Sequence, residues 1–168
     1  MPKVLIMVDD GVEDVEFIYP YYRFQEAGYE VDILASEAKK IYTGKHGVPF
    51  QSDLSPDEVG MEDYEALIIP GGRAPDRMRI DPKLVNIVKE AHNKDKVIAA
   101  VCHGPQMLIE ADLLKGKKAT CWKSVITDLK NAGAHHVDSS AVVDEKLVTS
   151  RYPADLPDFC QETLKLLK

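Results

Sequence analysis

Val97-Ile98-Ala99-Ala100-Val101-Cys102-His103-Gly104-Pro105 decides the fold. Five apolar residues in a row read as a strand buried on both faces. Gly104-Pro105 reads as a helix start, because the first turn tolerates a residue that has no N–H to donate. Cys102 then sits on a tight strand-to-helix turn at the carboxyl end of a sheet. That is the geometry of a nucleophile elbow, with sulfur in place of a serine hydroxyl. The positive end of the following helix favours thiolate over thiol, which predicts a lowered thiol pKa.

Upstream, Val4–Val8 is a second buried run, ending at Asp9-Asp10-Gly11. Asp14 can cap a helix that carries Val15, Ile18, Tyr22 and Phe24, is kinked at Pro20 and stops at Gly28. Glu30–Ala35 is the next strand, and residues 41–51 form a small hairpin outside the main sheet. A polar connection over Leu54–Met61 precedes the buried strand Ala66–Ile69, which Pro70-Gly71-Gly72 ends. Asp81 caps a helix with Pro82 at its first position and Leu84, Val85, Ile87, Val88 and Ala91 on one face. Downstream of the elbow helix, Ala119–Cys121 reads as a strand and Val125–Ala132 as a helix closed by Gly133. Ser140–Val143 and Leu147–Ser150 read as a hairpin, and a last helix opens at Pro153. Buried strands alternating with amphipathic helices imply one α/β domain over residues 1–168, an open parallel sheet covered on both sides.

The net charge of −7 argues against nucleic acid or an anionic membrane as partner. Three cysteines without CxxC spacing argue against a disulfide framework or a structural zinc, so no metal is expected. Adjacent His135 and His136 on a strand point to opposite faces and poorly co-ligate an ion. No signal peptide or membrane-length apolar run is read, which predicts a cytoplasmic protein.

If the first strand is central, with the second on one side and the third and fourth on the other, the loops after strands one, three and four meet. They carry Glu13, Gly71-Gly72 and Cys102-His103. Glu13 can exchange a proton with the thiol, or simply complement a helix N-terminus. Gly71-Gly72 can bring amides to a developing oxyanion together with the His103 amide, or be only a turn. His103 can serve as base and acid, although spacing alone does not place its ring against the sulfur.

Five segments in order resemble the PfpI-type intracellular cysteine peptidases, the superfamily of the parkinsonism-associated deglycase. They are Val12–Glu16, Thr43–Gly47, Pro70–Pro75, Val101–Gln106 and Ser150–Leu156. The resemblance implies a flavodoxin-like three-layer α/β/α sandwich with Cys102 as nucleophile. It implies Glu13 as a protonated carboxyl sharing a hydrogen bond with the thiolate, and Gly72 and His103 amides as the oxyanion site. An acidic residue from a neighbouring subunit orients the histidine in peptidase-like members; that position is Asp76 here, where those members carry glutamate. Trp122 stands where they place a site-lining tyrosine. A shared triad implies a homo-oligomer, a dimer or higher. The implied function is a cofactor-independent cysteine enzyme acting on methylglyoxal or glycated adducts. The alternatives are peptide hydrolysis through an intersubunit Cys-His-Asp arrangement, and redox sensing by oxidation of Cys102. The downstream His-x-Glu pair of a glutamine amidotransferase is missing, and acidic Asp9–Glu13 would repel the phosphate of FMN.

Overall fold

The computed structural model describes residues 1–168. Its main sheet is built from β1 (Lys3–Met7), β2 (Glu30–Leu34), β5 (Ala66–Ile69), β6 (Val97–Val101), β9 (Val142–Asp144) and β10 (Leu147–Ser150). The strands stand in the order β2-β1-β5-β6-β10-β9, parallel throughout except for the β10–β9 edge pair. The expected placement of the first four strands therefore holds. The expected hairpin near Ser140–Ser150 is the antiparallel β9–β10 pair, and it also extends the main sheet, with β10 lying parallel to β6. β10 is buried along its whole length, so it needs a neighbour on its other side as well, which β6 supplies.

The helices are α1 (Asp14–Glu26), α2 (Ala74–Met78), α3 (Pro82–Asn93), α4 (Pro105–Glu110), α5 (Ile126–Asn131) and α6 (Leu156–Leu166). β3 (Ile41–Thr43) and β4 (Pro49–Gln51) form the expected small hairpin. The strand expected at Ala119–Cys121 is the two-residue β7 (Lys118–Ala119), paired in parallel with β8 (His135–His136). Every residue of β5 and β6 is buried, as their unbroken apolar runs require. One core cluster of 47 buried residues joins the sheet to its flanking helices, each large apolar side chain contributing roughly 1.5–3 kcal/mol on burial. No helix is long and apolar enough to cross a membrane.

α1 departs from the expected face. Its buried side chains are Asp14, Glu16, Phe17, Pro20 and Phe24, while Val15 and Tyr22 are exposed. The helix runs on through Pro20. Asp14 does not cap it: the cap position is Glu13, and the Asp14 carboxylate accepts instead from the amides of His46 and Val48, at 2.7 and 3.1 Å. That contact ties the β3–β4 hairpin to the start of α1, beside the carboxyl ends of β1 and β5. Asp81, by contrast, caps α3 as expected, accepting from the Lys83 amide at 3.0 Å.

Candidate active site

Cys102 stands between β6 and α4 with φ +64°. A non-glycine residue in the left-handed region is uncommon, and here it turns the chain sharply enough to raise the side chain off the sheet. The turn is held from both sides: the Cys102 amide donates to Ser150 O at 3.0 Å, and Cys102 O accepts from the Trp122 amide at 2.9 Å. Cys102 lines a cleft of about 800 Å³ with Glu16, Gly72, His103, Asp76 and Trp122 among its walls.

The carboxyl against the sulfur is Glu16, not Glu13. Glu16 is wholly buried, accepts from the Gly71 amide at 2.8 Å through Oε1, and is electrostatically coupled to the Cys102 sulfur beside it. Its buried Oε2 has no hydrogen-bond partner. Burial, reinforced by the nearby charge of Glu13, pushes the Glu16 carboxyl up to about 8, so it carries a proton at neutral pH. Glu13 points elsewhere. Its carboxylate takes His46 Nε2 at 3.0 Å and Lys45 Nζ at 3.7 Å. The two glutamates lie three residues apart at the start of α1; the helix turns Glu16 inward with Phe17, Pro20 and Phe24 and leaves Glu13 at the cleft wall.

The glycine pair divides its work. The Gly71 amide is already used by Glu16, which removes it from the expected oxyanion site. The amides of Gly72 and His103 point at the Cys102 sulfur and stabilise negative charge there. A Cβ on Gly71 would lie 2.8 Å from both Glu16 Oε1 and the His103 amide and 2.9 Å from Cys102 Cβ. Gly71→Ala is therefore expected to leave the protein folded but to cut turnover about 100-fold by displacing carboxyl and amide together; steady-state kinetics beside a thermal melt checks this.

The thiol is not depressed by its helix. Burial pushes Cys102 up to about 12, with the negative charge of Glu16 the next cause; the Gly72 and His103 amides oppose both. The expectation from the helix end alone is thus overturned, because α4 is only six residues long and the sulfur is largely removed from water. The charge of Glu16 acts only when that carboxyl is ionised. With Glu16 protonated, the repulsion gives way to a carboxyl O–H that can donate, so the two groups titrate as a coupled pair.

His103 Nδ1 lies 3.4 Å from Cys102 Sγ, and its Nε2 lies 3.4 Å from Ser124 Oγ. Burial first, and then Lys45, lower its pKa, so the ring is neutral at pH 7. Asp76 is exposed on α2 at the cleft and has no bond to His103 within the chain; the group beside His103 is Ser124. Trp122 stands on the wall where the resemblance places an aromatic, its ring centroid 6.2 Å from that of Tyr152. Lys45, Arg73 and Tyr152 also line the cleft; each lies inside a segment that carries the resemblance, but none is assigned a role by the sequence. Cys121 and Cys160 are buried, each pushed up to about 12 by burial.

Glu13, Asp14 and His46 bring one ligand atom each within 4.8 Å of one another. Both Asp14 oxygens already accept amides and Lys45 lies against Glu13, so these groups are satisfied from within the chain.

A model of the DJ-1/PfpI family matches residues 2–166. A deglycase from Pyrococcus horikoshii is 46% identical over 166 residues, covering 99% of each chain. Protein/nucleic acid deglycase 2 of Escherichia coli is 44% identical over 167 residues, 98% of this chain and 97% of that one. Among solved structures, a two-domain protein from Anabaena variabilis with a DJ-1/ThiJ/PfpI-like and a ferritin-like domain superposes with a TM-score of 0.97 at 45% identity, over 99% of this chain and 48% of that chain. With the elbow, its sheet order and these matches in agreement, the chain belongs to the DJ-1/PfpI family.

Proposed function

We propose that the protein is a cofactor-independent cysteine enzyme acting on 2-oxoaldehydes such as methylglyoxal, and on their adducts with proteins, through a covalent intermediate on Cys102. The observation that carries this reading is the convergence on one sulfur of a protonated carboxyl, Glu16, and two backbone amides, Gly72 and His103. The deglycase names of the relatives support the substrate class.

The Cys102 sulfur adds to the aldehyde carbon. The C–S bond forms as the carbonyl π pair moves to oxygen, where the two amides receive the charge and the proton held by the Glu16–Cys102 pair completes a hemithioacetal. Neutral His103 takes the proton from the former aldehyde carbon, and the resulting enediol is reprotonated at the neighbouring carbon. The product is a thioester of the hydroxy acid. Water releases lactate from it and restores the thiol, so methylglyoxal plus water gives lactate and a proton, with no external oxidant or reductant.

Peptide hydrolysis is the second reading, and it needs a carboxylate at His103. Within one chain Ser124 occupies that place; a partner's acidic residue would have to supply it. Purified protein is expected to form lactate from methylglyoxal and to leave chromogenic peptides uncut. Peptide cleavage that disappears in Asp76→Ala, without lactate formation, would reverse the order of the two readings.

A further inference from the structure

The cleft carries a cation that nothing in the chain neutralises. Arg77 Nε lies 3.3 Å from Asp9, Lys45 Nζ 3.7 Å from Glu13, and Arg151 lies 2.9 Å from both Asp138 and Asp155. Arg73, on the wall with Cys102, is exposed and makes no salt bridge or side-chain hydrogen bond. Its position is nevertheless fixed. The Arg73 amide donates to Gly11 O at 2.8 Å. A Cβ on Gly11 would lie 2.9 Å from Arg73 Cβ and 3.6 Å from its Cγ and Cδ. Gly11 is therefore a shelf along which the alkyl stem runs, leaving the guanidinium free.

The aromatic side chains of the cleft point to the same ligand charge. Lys123 Nζ sits 5.3 Å over the Trp122 ring, and Arg151 Cζ sits 5.2 Å over Tyr152. Aromatic rings that already hold a cation are poor hosts for a second one. Of the lining carboxylates, Glu13 is paired with Lys45 and His46, and Asp10 accepts the Thr43 amide at 2.9 Å. Neither Asp10 nor Asp76 comes within salt-bridge range of Arg73.

We propose that Arg73 is an anion handle, and that the carbonyl compounds taken by Cys102 carry a carboxylate or phosphate group. A planar guanidinium suits either group, because its paired N–H donors match two oxygens of one anion. This rests on the carbonyl reading above and narrows its substrate class. Addition is balanced without any further reactant: the C–S bond forms, the carbonyl π pair goes to oxygen, and the thiol proton ends on that oxygen.

The test measures protection of Cys102 against iodoacetamide, a neutral reagent, by three aldehydes: glycolaldehyde, glycolaldehyde phosphate and glyoxylate. Labelling is read at the Cys102 peptide by mass spectrometry, so turnover is not needed. At least one anionic aldehyde is expected to half-protect at about tenfold lower concentration than glycolaldehyde. That ratio should shrink with added salt, fall towards one in Arg73→Gln and be partly kept in Arg73→Lys. Lys165→Gln, on the exposed side of α6, should keep it. An advantage for glyoxylate alone assigns a carboxylate, for the phosphate alone a phosphate, and for both the shared anionic oxygens. Equal protection by neutral and anionic aldehydes, or a ratio that survives Arg73→Gln, overturns the proposal. If no aldehyde protects while Cys102 labels normally, it is the carbonyl reading itself that fails, and the anion handle falls with it.

Discussion

Cys102→Ser is expected to lower methylglyoxal turnover by at least about 10³-fold, because the covalent step is lost rather than slowed. A serine hydroxyl is far less acidic than a thiol, and neutral His103 beside it has only Ser124 to orient its far nitrogen. The variant should fold, since the elbow is held by backbone bonds to Ser150 and Trp122 that the substitution leaves alone. Cys121→Ser and Cys160→Ser remove equally buried sulfurs outside the cleft. Both should keep turnover once corrected for the fraction folded. Lactate formation by an enzymatic or chromatographic assay distinguishes these outcomes, and undiminished turnover in Cys102→Ser contradicts the proposed mechanism.

Glu16→Gln should separate activity from stability. In the folded protein burial holds the carboxyl up to about 8, above the 4.5 of an ordinary glutamate. Below pH 4.5 both folded and unfolded chains hold this proton and the group is neutral to stability. Between 4.5 and 8 the unfolded chain releases it and the folded one keeps it, so stability falls as pH rises; above 8 the loss is complete. Glutamine offers the same oxygen to the Gly71 amide and an N–H to the sulfur, with no ionisation to suppress. At pH 8 the variant is therefore expected to be the more stable form, and its melting point should vary less between pH 5 and 8 than that of the wild type. Its turnover should drop by at least about 100-fold, because an amide cannot pass the proton. A variant that melts lower than wild type at pH 8, or keeps full turnover, contradicts this account of Glu16.

Much of this site is legible in the chain because backbone geometry fixes it. A run of buried apolar residues ending in Cys-His-Gly-Pro forces an elbow, and Pro-Gly-Gly after the neighbouring strand leaves room for approach. The choice of Glu13 over Glu16 shows where such reading stops. It depends on the inward face of α1, and two clues compete there. The apolar Val15 and Tyr22 suggest one face, while Phe17, Pro20 and Phe24 define another; the bulkier set wins. An acidic residue in phase with three large apolar ones was the available signal for a buried, protonated carboxyl. The thiol's acidity departs from the helix-end expectation for a related reason. Helix polarity is visible in sequence, whereas desolvation at the bottom of a cleft depends on walls contributed by distant segments. Arg73 and Tyr152 lie on such walls; the segments that carry the resemblance contain them, but nothing local shows that their side chains face the sulfur.

The central claim is that Glu16 and Cys102 titrate as a coupled pair, so that loss of the first of their two protons makes thiolate available before the sulfur would titrate alone. The pH dependence of Cys102 alkylation by iodoacetamide measures this directly, in wild type and in Glu16→Gln. The wild-type rate should reach half its plateau at or below about 8, where the first proton leaves the pair, and Glu16→Gln should move that midpoint upward. A wild-type midpoint at or above 9.0, the value of an ordinary thiol, that does not change in Glu16→Gln would contradict it.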